Sequence, residues 1–196
     1  MKEISKSLKY FLIIFLIFTT HVESKNLSIG KSNAKITVKV FSSLTCPHCA
    51  NFHEKIFKNL KKDFIDKNLV KFERHGFPLD LAALNAELIV RCHNDSNKNF
   101  QLLGEIYKKQ NNWAVGSDIN IINESIKNIG FDSGLSKKNM ENCLKDEELQ
   151  EQILNERIEA QKRYKIDSTP TIYINEKKYD EKNEYEKFKK AIEKLL

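Results

Sequence analysis

Alternating apolar and polar positions predict a β-strand at residues 34–43, where β-branched side chains are frequent. Residues 47–67 instead place apolar side chains at the spacing of one helix face, so they predict a helix. Residues 69–78 predict a second strand, which ends at Gly76 and Pro78. A strand, a helix and a strand joined by one crossover predict a parallel, right-handed βαβ unit.

Helical spacing dominates the middle of the chain. It predicts one helix that reaches Cys92, a second around Phe100 and a third that begins after Ser117 as its cap. Residues 136–164 predict a last, highly charged helical stretch with a break near Asp146.

The C-terminal part changes pattern again. Residues 171–175 predict a strand, which a turn at Glu176 and Lys177 connects to a short return strand. The final residues predict an amphipathic helix whose apolar face holds Phe188, Ile192 and Leu195.

Composition narrows the class of protein. The 196-residue chain has only six glycines and three prolines, which argues against an all-β fold with many tight turns. Its net charge of +6 is spread along the sequence rather than gathered in blocks, so a solvated surface is favoured over a nucleic-acid site.

The N-terminus has the layout of a secretory signal peptide. Positive charges precede an apolar run at residues 10–18, which is too short to span a bilayer comfortably. We therefore expect residues 1–24 to be a signal peptide and the protein to be periplasmic. A buried core helix and an uncleaved membrane tether are the alternatives.

The sequence Cys46-Pro47-His48-Cys49 places two thiols at the start of the first predicted helix, with Thr45 as its cap. Unpaired N–H groups and the helix dipole stabilise a thiolate at Cys46, and His48 adds a donor. Cys49 lies one turn inside and is expected to be less exposed. We expect Cys46 to be the nucleophile and Cys49 the resolving thiol. Because a stabilised thiolate favours the reduced pair, its disulfide is an oxidant.

Two alternatives for this pair are a metal site and an inert structural disulfide. A structural zinc site needs four ligands, whereas Cys92 and Cys143 are not spaced as a second pair, although His53 lies one turn beyond Cys49. A disulfide that closes so small a loop constrains the unfolded chain little. Redox chemistry is therefore favoured, and a copper or zinc carrier is the alternative of another class.

Three motifs carry a resemblance to a known family. The sequences FSSLTCPHCANFHE, GFPLD and STPTIYIN resemble those of the exported DsbA-like thiol:disulfide oxidoreductases of the thioredoxin superfamily. The resemblance implies an α/β thioredoxin fold with an inserted helical domain. Its parts would be a thioredoxin-like segment at residues 25–78, the insertion at 79–163 and a second thioredoxin-like segment at 164–196.

The resemblance also implies roles for individual residues. Pro47 and His48 would tune the redox pair, and Pro170 would be a cis-proline that faces it. Thr169 would present its backbone to an extended substrate strand. A trans-proline at the start of an edge strand is the alternative for Pro170. Glu73 is a candidate for the buried acid that is a feature of the family.

Cys92 and Cys143 would form a second disulfide inside the insertion, as in some relatives. Free, buried thiols are the alternative for these two residues. A bond across so long a loop would stabilise the fold by about 2–4 kcal/mol.

The implied activity is donation of the Cys46–Cys49 disulfide to unfolded exported proteins by a monomer. It requires no organic cofactor and is reset by a quinone-linked membrane partner. The alternative within the class is an isomerase or reductase that a membrane thiol donor keeps reduced.

Overall fold

The structure, a computed structural model, describes residues 27–196. The predicted signal peptide at residues 1–24 lies outside the described residues. None of the helices in the described part is both long and apolar enough to cross a membrane.

A five-stranded mixed sheet forms the centre of the thioredoxin-like part, in the order β1-β3-β2-β4-β5. Strands β2 and β3 are parallel, and the other neighbouring strands are antiparallel. The predicted parallel βαβ unit is therefore present. The strands are β1 (Leu27–Ile29), β2 (Ile36–Ser42), β3 (Val70–Gly76), β4 (Thr171–Ile174) and β5 (Lys177–Lys178).

The crossover between β2 and β3 is one helical segment with two π-helical stretches. It runs through α1 (Pro47–Phe52), a π-helix at His53–Phe57, α2 (Lys58–Leu60) and a π-helix at Lys61–Ile65. Its buried face includes Phe52, Ile56 and Leu60, as the apolar spacing predicts. The π-helical turns were not predicted, because the spacing of apolar residues alone does not distinguish i→i+5 from i→i+4 hydrogen bonds.

Six helices lie between β3 and β4. Asp80, Asp95, Asp118, Ser136 and Asp146 each cap one of them by accepting a backbone N–H at its start. The expectation of a cap at Ser117 is therefore wrong by one residue. The helices are α3 (Leu81–Val90), α4 (Ser96–Lys108), α5 (Gln110–Trp113), α6 (Ile119–Asp132), α7 (Lys137–Leu144) and α8 (Glu147–Tyr164).

The last segment closes the fold with β4, β5 and α9 (Tyr185–Glu193). The turn between β4 and β5 is formed by Asn175 and Glu176, both with positive φ, rather than by Glu176 and Lys177. Phe188 and Ile192 are fully buried, whereas Leu195 lies beyond the helix and is exposed, contrary to expectation.

Candidate active site

Cys46 is the N-terminal cap residue of α1, and Pro47 is the first helical residue. Pro47 fits there because its missing N–H would have no partner in the helix. The expectation that Thr45 caps this helix is wrong, because Cys46 is the cap residue. The Thr45 hydroxyl instead donates to Asp80 Oδ2 at 2.7 Å, which ties the loop before α1 to the start of α3.

Cys46 and Cys49 are free thiols that are not bonded to each other, and both residues are buried. A hydrogen bond from the Cys49 thiol is the largest cause that lowers the pKa of Cys46 to about 5. The backbone N–H groups of Cys49 and His48 lower this pKa further, while burial opposes the shift. Deep burial, the hydrogen bond to Cys46 and the charge of its thiolate raise the pKa of Cys49. The two sulfurs therefore differ strongly in acidity.

The segment before β4 forms the other side of the site. The Thr169–Pro170 peptide bond is cis, and the Cys46 thiol donates to the Thr169 carbonyl oxygen at 3.2 Å. Thr169 Oγ1 is buried and has no hydrogen-bond partner within residues 27–196. The structure thus brings Cys46, Cys49 and Thr169 together, although 123 positions separate Cys46 from Thr169.

Pro47 and His48 lie on the exposed side of the redox pair. The backbone N–H of His48 contributes to the low pKa of Cys46. Within residues 27–196, the imidazole of His48 makes no hydrogen bond, and the residue is exposed.

Gln110 is a site residue that the sequence analysis missed. Its Nε2 donates to the carbonyl oxygens of Leu44 at 2.7 Å and of Cys46 at 3.1 Å, and its side chain is buried. It belongs to the short helix α5, whose four residues are too few to show a periodic pattern. No signal in the sequence marks it as a neighbour of Cys46.

A buried ionic cluster lies behind the site. Glu87 binds both Arg74 and Arg91, and Arg74 also donates to the carbonyl oxygen of Ser42 at 3.1 Å. Burial acts to raise the pKa of Glu87, but the two guanidinium groups outweigh it and hold this pKa below its usual range. The cluster connects β2 and β3 to α3.

Glu73 does not have the character of a buried, protonated acid. Hydrogen bonds from His75 and then Lys71 lower the pKa of Glu73 to about 2. Its side chain lies on the sheet face that holds Lys39 and lines a cavity of about 710 Å³ beneath α8. The residues of the redox pair and the Thr169–Pro170 segment do not line that cavity.

Cys92 and Cys143 are joined by a disulfide bond. Cys92 follows the end of α3, and Cys143 lies in α7. The bond therefore links two helices of the inserted segment and leaves Cys46 and Cys49 as the free thiols of the described chain.

The surroundings of the cysteine pair bear on the alternative of a metal carrier. Residues 27–196 contain no group of three or more His, Cys, Asp or Glu side chains arranged to hold a metal ion. His53 stacks on Phe57, with ring centroids 4.7 Å apart, and lies 5.1 Å from the ring of Tyr107. Burial and the charges of Arg74 and Lys58 lower the pKa of His53 to about 4, so its imidazole is neutral at physiological pH.

Comparison with known proteins shows the family to which the chain belongs. A family model described as thioredoxin matches residues 23–194. The disulfide bond formation protein D of Bacillus subtilis is 30% identical over 86% of this chain and 76% of its own length. The chain belongs to the thioredoxin superfamily, among its DsbA-like members. The resemblance that the sequence motifs indicate is therefore confirmed.

A solved DsbA-like structure shares the architecture. The crystal structure of alpha-DsbA1 from Wolbachia pipientis superimposes with a TM-score of 0.77, at 25% identity, over 87% of this chain and 90% of that one. The expected fold, a thioredoxin fold with an inserted helical part, is confirmed.

Other relatives are longer than the region that they share with this chain. A putative protein-disulfide oxidoreductase of Rickettsia bellii is 29% identical over 80% of this chain but only 60% of its own length. Across five Rickettsia relatives, the chain spans 55–64% of their length.

Proposed function

We propose that this protein is a dithiol oxidase, which donates its Cys46–Cys49 disulfide to unfolded exported proteins. The observation that carries the proposal is the difference in acidity within the pair: the pKa of Cys46 is lowered to about 5, and that of Cys49 is raised. An acidic thiol is a good leaving group, so a mixed disulfide between Cys46 and a substrate is readily resolved by a second substrate thiolate.

The reaction proceeds by two thiol–disulfide exchanges. A substrate thiolate attacks Cys46 Sγ, the Cys46–Cys49 bond breaks, and its electron pair goes to Cys49, which takes up a proton. A second substrate thiolate then attacks the substrate sulfur of the mixed disulfide, and Cys46 leaves as a thiolate. The substrate loses two electrons and gains a disulfide, while the enzyme becomes the dithiol.

The residues around the pair have distinct roles in this scheme. Pro47 and His48 form the exposed edge that meets the substrate and tune the pair. The backbone of Thr169, which precedes Pro170, pairs with an extended substrate strand. The carbonyl oxygen of Thr169 accepts from the Cys46 thiol, which supports this placement of a substrate beside the sulfur.

The setting of the reaction follows from the same proposal. The protein acts in the periplasm as a monomer, after removal of residues 1–24. A quinone-linked membrane oxidase accepts the two electrons and restores the disulfide. The name of the Bacillus subtilis relative, disulfide bond formation protein D, supports oxidation as the direction of exchange.

The direct test is oxidation of a reduced, unfolded model protein by the wild-type enzyme, Cys46→Ala and Cys49→Ala. We expect the wild type to transfer one disulfide per molecule and Cys46→Ala to transfer none. In Cys49→Ala, the Cys46 thiolate should attack oxidised glutathione, release one reduced glutathione and remain as a mixed disulfide with the other half. Equal oxidation by the wild type and Cys46→Ala would reject the mechanism.

Threonine before the proline, as at Thr169, also occurs in isomerase-like and reductase-like members, so an isomerase or reductase is the second candidate. Rapid thiol trapping in cells separates the two directions. An oxidase keeps Cys46 and Cys49 mostly as a disulfide at steady state, whereas a mostly reduced pair would favour the second candidate.

A further inference from the structure

We infer that Gln110, in the inserted helical segment, is a positioning residue that holds the backbone around Cys46 at the start of α1. This inference rests on the proposed role of Cys46 as the attacked sulfur. Gln110 itself does not touch the sulfur. It acts through the two backbone carbonyl groups that precede α1, those of Leu44 and Cys46.

The hydrogen bonds fix the peptide units at the entrance to α1. Cys46 O already accepts from the N–H groups of Cys49 at 3.1 Å and Ala50 at 3.2 Å, and Gln110 Nε2 is a third donor to it. A carbonyl oxygen that has two helical donors does not need a third to be satisfied. The Gln110 contact therefore does more than satisfy a buried acceptor.

Both the direction and the charge of these groups affect the thiolate. The N–H groups of His48 and Cys49 help lower the pKa of Cys46. The first turn of α1 sets the direction of these N–H groups. Gln110 holds the first carbonyl group of that turn, the one of Cys46. The amide hydrogens of Gln110 also offset the negative end of the Cys46 carbonyl dipole, which lies within the same residue as the thiolate.

The rest of α5 holds Gln110 in a fixed position. Trp113 is buried, and its Nε1 donates to the carbonyl oxygen of Ile106 at 2.8 Å, which attaches α5 to α4. Gln110 as a whole residue is 5% exposed, so water does not compete freely for its donors. The inserted segment thus controls a property of the thioredoxin-like segment through one amide.

The test compares the pH dependence of Cys46 alkylation in the reduced wild type and in Gln110→Met, which keeps the side-chain volume but removes the donor. Asn85→Leu is the matched control, because it removes an amide hydrogen bond to Asn123, 2.9 Å long, within the same helical segment. We expect the acid dissociation constant of Cys46 to fall about three- to tenfold in Gln110→Met, as for loss of one ordinary hydrogen bond. Asn85→Leu should leave it unchanged.

A second measurement separates a local from a general effect. The equilibrium between the cysteine pair and glutathione should shift toward the disulfide by the same factor in Gln110→Met, and not in Asn85→Leu. Unchanged pH profile and equilibrium in Gln110→Met, or equal changes in both variants, overturn the inference.

Folding failure is also decisive. If Gln110→Met does not fold, Gln110→Ala is measured in its place. If neither folds while Asn85→Leu does, Gln110 serves the fold and the inference is wrong. A wild-type Cys46 with ordinary acidity instead rejects the proposed function itself, whatever Gln110 does.

Discussion

Removal of the Cys49 thiol should make Cys46 much less acidic. With a pKa of about 5, the Cys46 thiol is about 99% ionised at pH 7, whereas at its ordinary value of 9.0 it would be about 1% ionised. The Cys49 thiol donates the hydrogen bond that contributes most to this difference. Cys49→Ala deletes that donor, while Cys49→Ser keeps a hydroxyl in its place.

The magnitude follows from the strength of a hydrogen bond to a charged group. Such a bond is worth about 1.5–3 kcal/mol, or about one to two pKa units. The pKa of Cys46 in Cys49→Ala should therefore rise to about 6–7. At pH 5, the thiolate fraction should fall from about one half to between about a tenth and a hundredth.

The assay is the rate of iodoacetamide alkylation between pH 4 and pH 9, with the modified site identified by peptide mass. The Cys92–Cys143 bond leaves Cys46 as the single reactive thiol of the described residues in both variants. Cys49→Ser should give a profile between those of the wild type and Cys49→Ala. Identical profiles for the two variants would refute the reasoning, because the donor would then have no effect.

Three further changes are predicted. Replacing both Cys92 and Cys143 with serine should lower the free energy of unfolding by about 2–5 kcal/mol, because the unfolded chain gains conformational freedom. Urea titrations measure this change, and a loss smaller than about 1 kcal/mol would contradict the prediction. Glu87→Gln should lower that free energy by about 3–5 kcal/mol, because it leaves Arg74 buried without its counter-charge, and a stability within 1 kcal/mol of wild type would contradict it. Folding lowers the pKa of Cys46 from 9.0 to about 5, so the stability of the reduced protein relative to the oxidised protein should fall as the pH drops from 9 through 5. Parallel pH curves for the two forms would disprove the link.

The parts of the site that lie in one stretch of sequence were predictable. The strand before Cys46 and the apolar spacing after it place the thiol at a helix start, and the structure has it as the cap residue. Local hydrogen bonds and the helix dipole act over a few residues, so a short motif suffices to indicate an acidic thiol there.

Contacts between distant segments were not predictable in the same way. Gln110 and Glu87 are polar residues on helices, which a sequence pattern assigns to the surface. They are buried because of partners that are distant in sequence: Arg74 of β3 for Glu87, and the carbonyl groups of Leu44 and Cys46 for Gln110. The choice of Asp118 over Ser117 as a cap depends on backbone angles, since both residue types suit that position. Strand β1 has three residues and is a strand because it pairs with β3. Its own sequence does not encode that pairing.

The two halves of the redox centre come from opposite ends of the described chain, and this fixes when the centre can work. A ribosome makes the cysteine pair more than a hundred residues before the Thr169 segment, since 123 positions separate Cys46 from Thr169. Strand β4, which follows Thr169 and Pro170, pairs with β2, the strand that precedes Cys46. An unfinished chain therefore carries both thiols but lacks the Thr169 backbone beside them, and the redox centre is complete only once the C-terminal segment has been made.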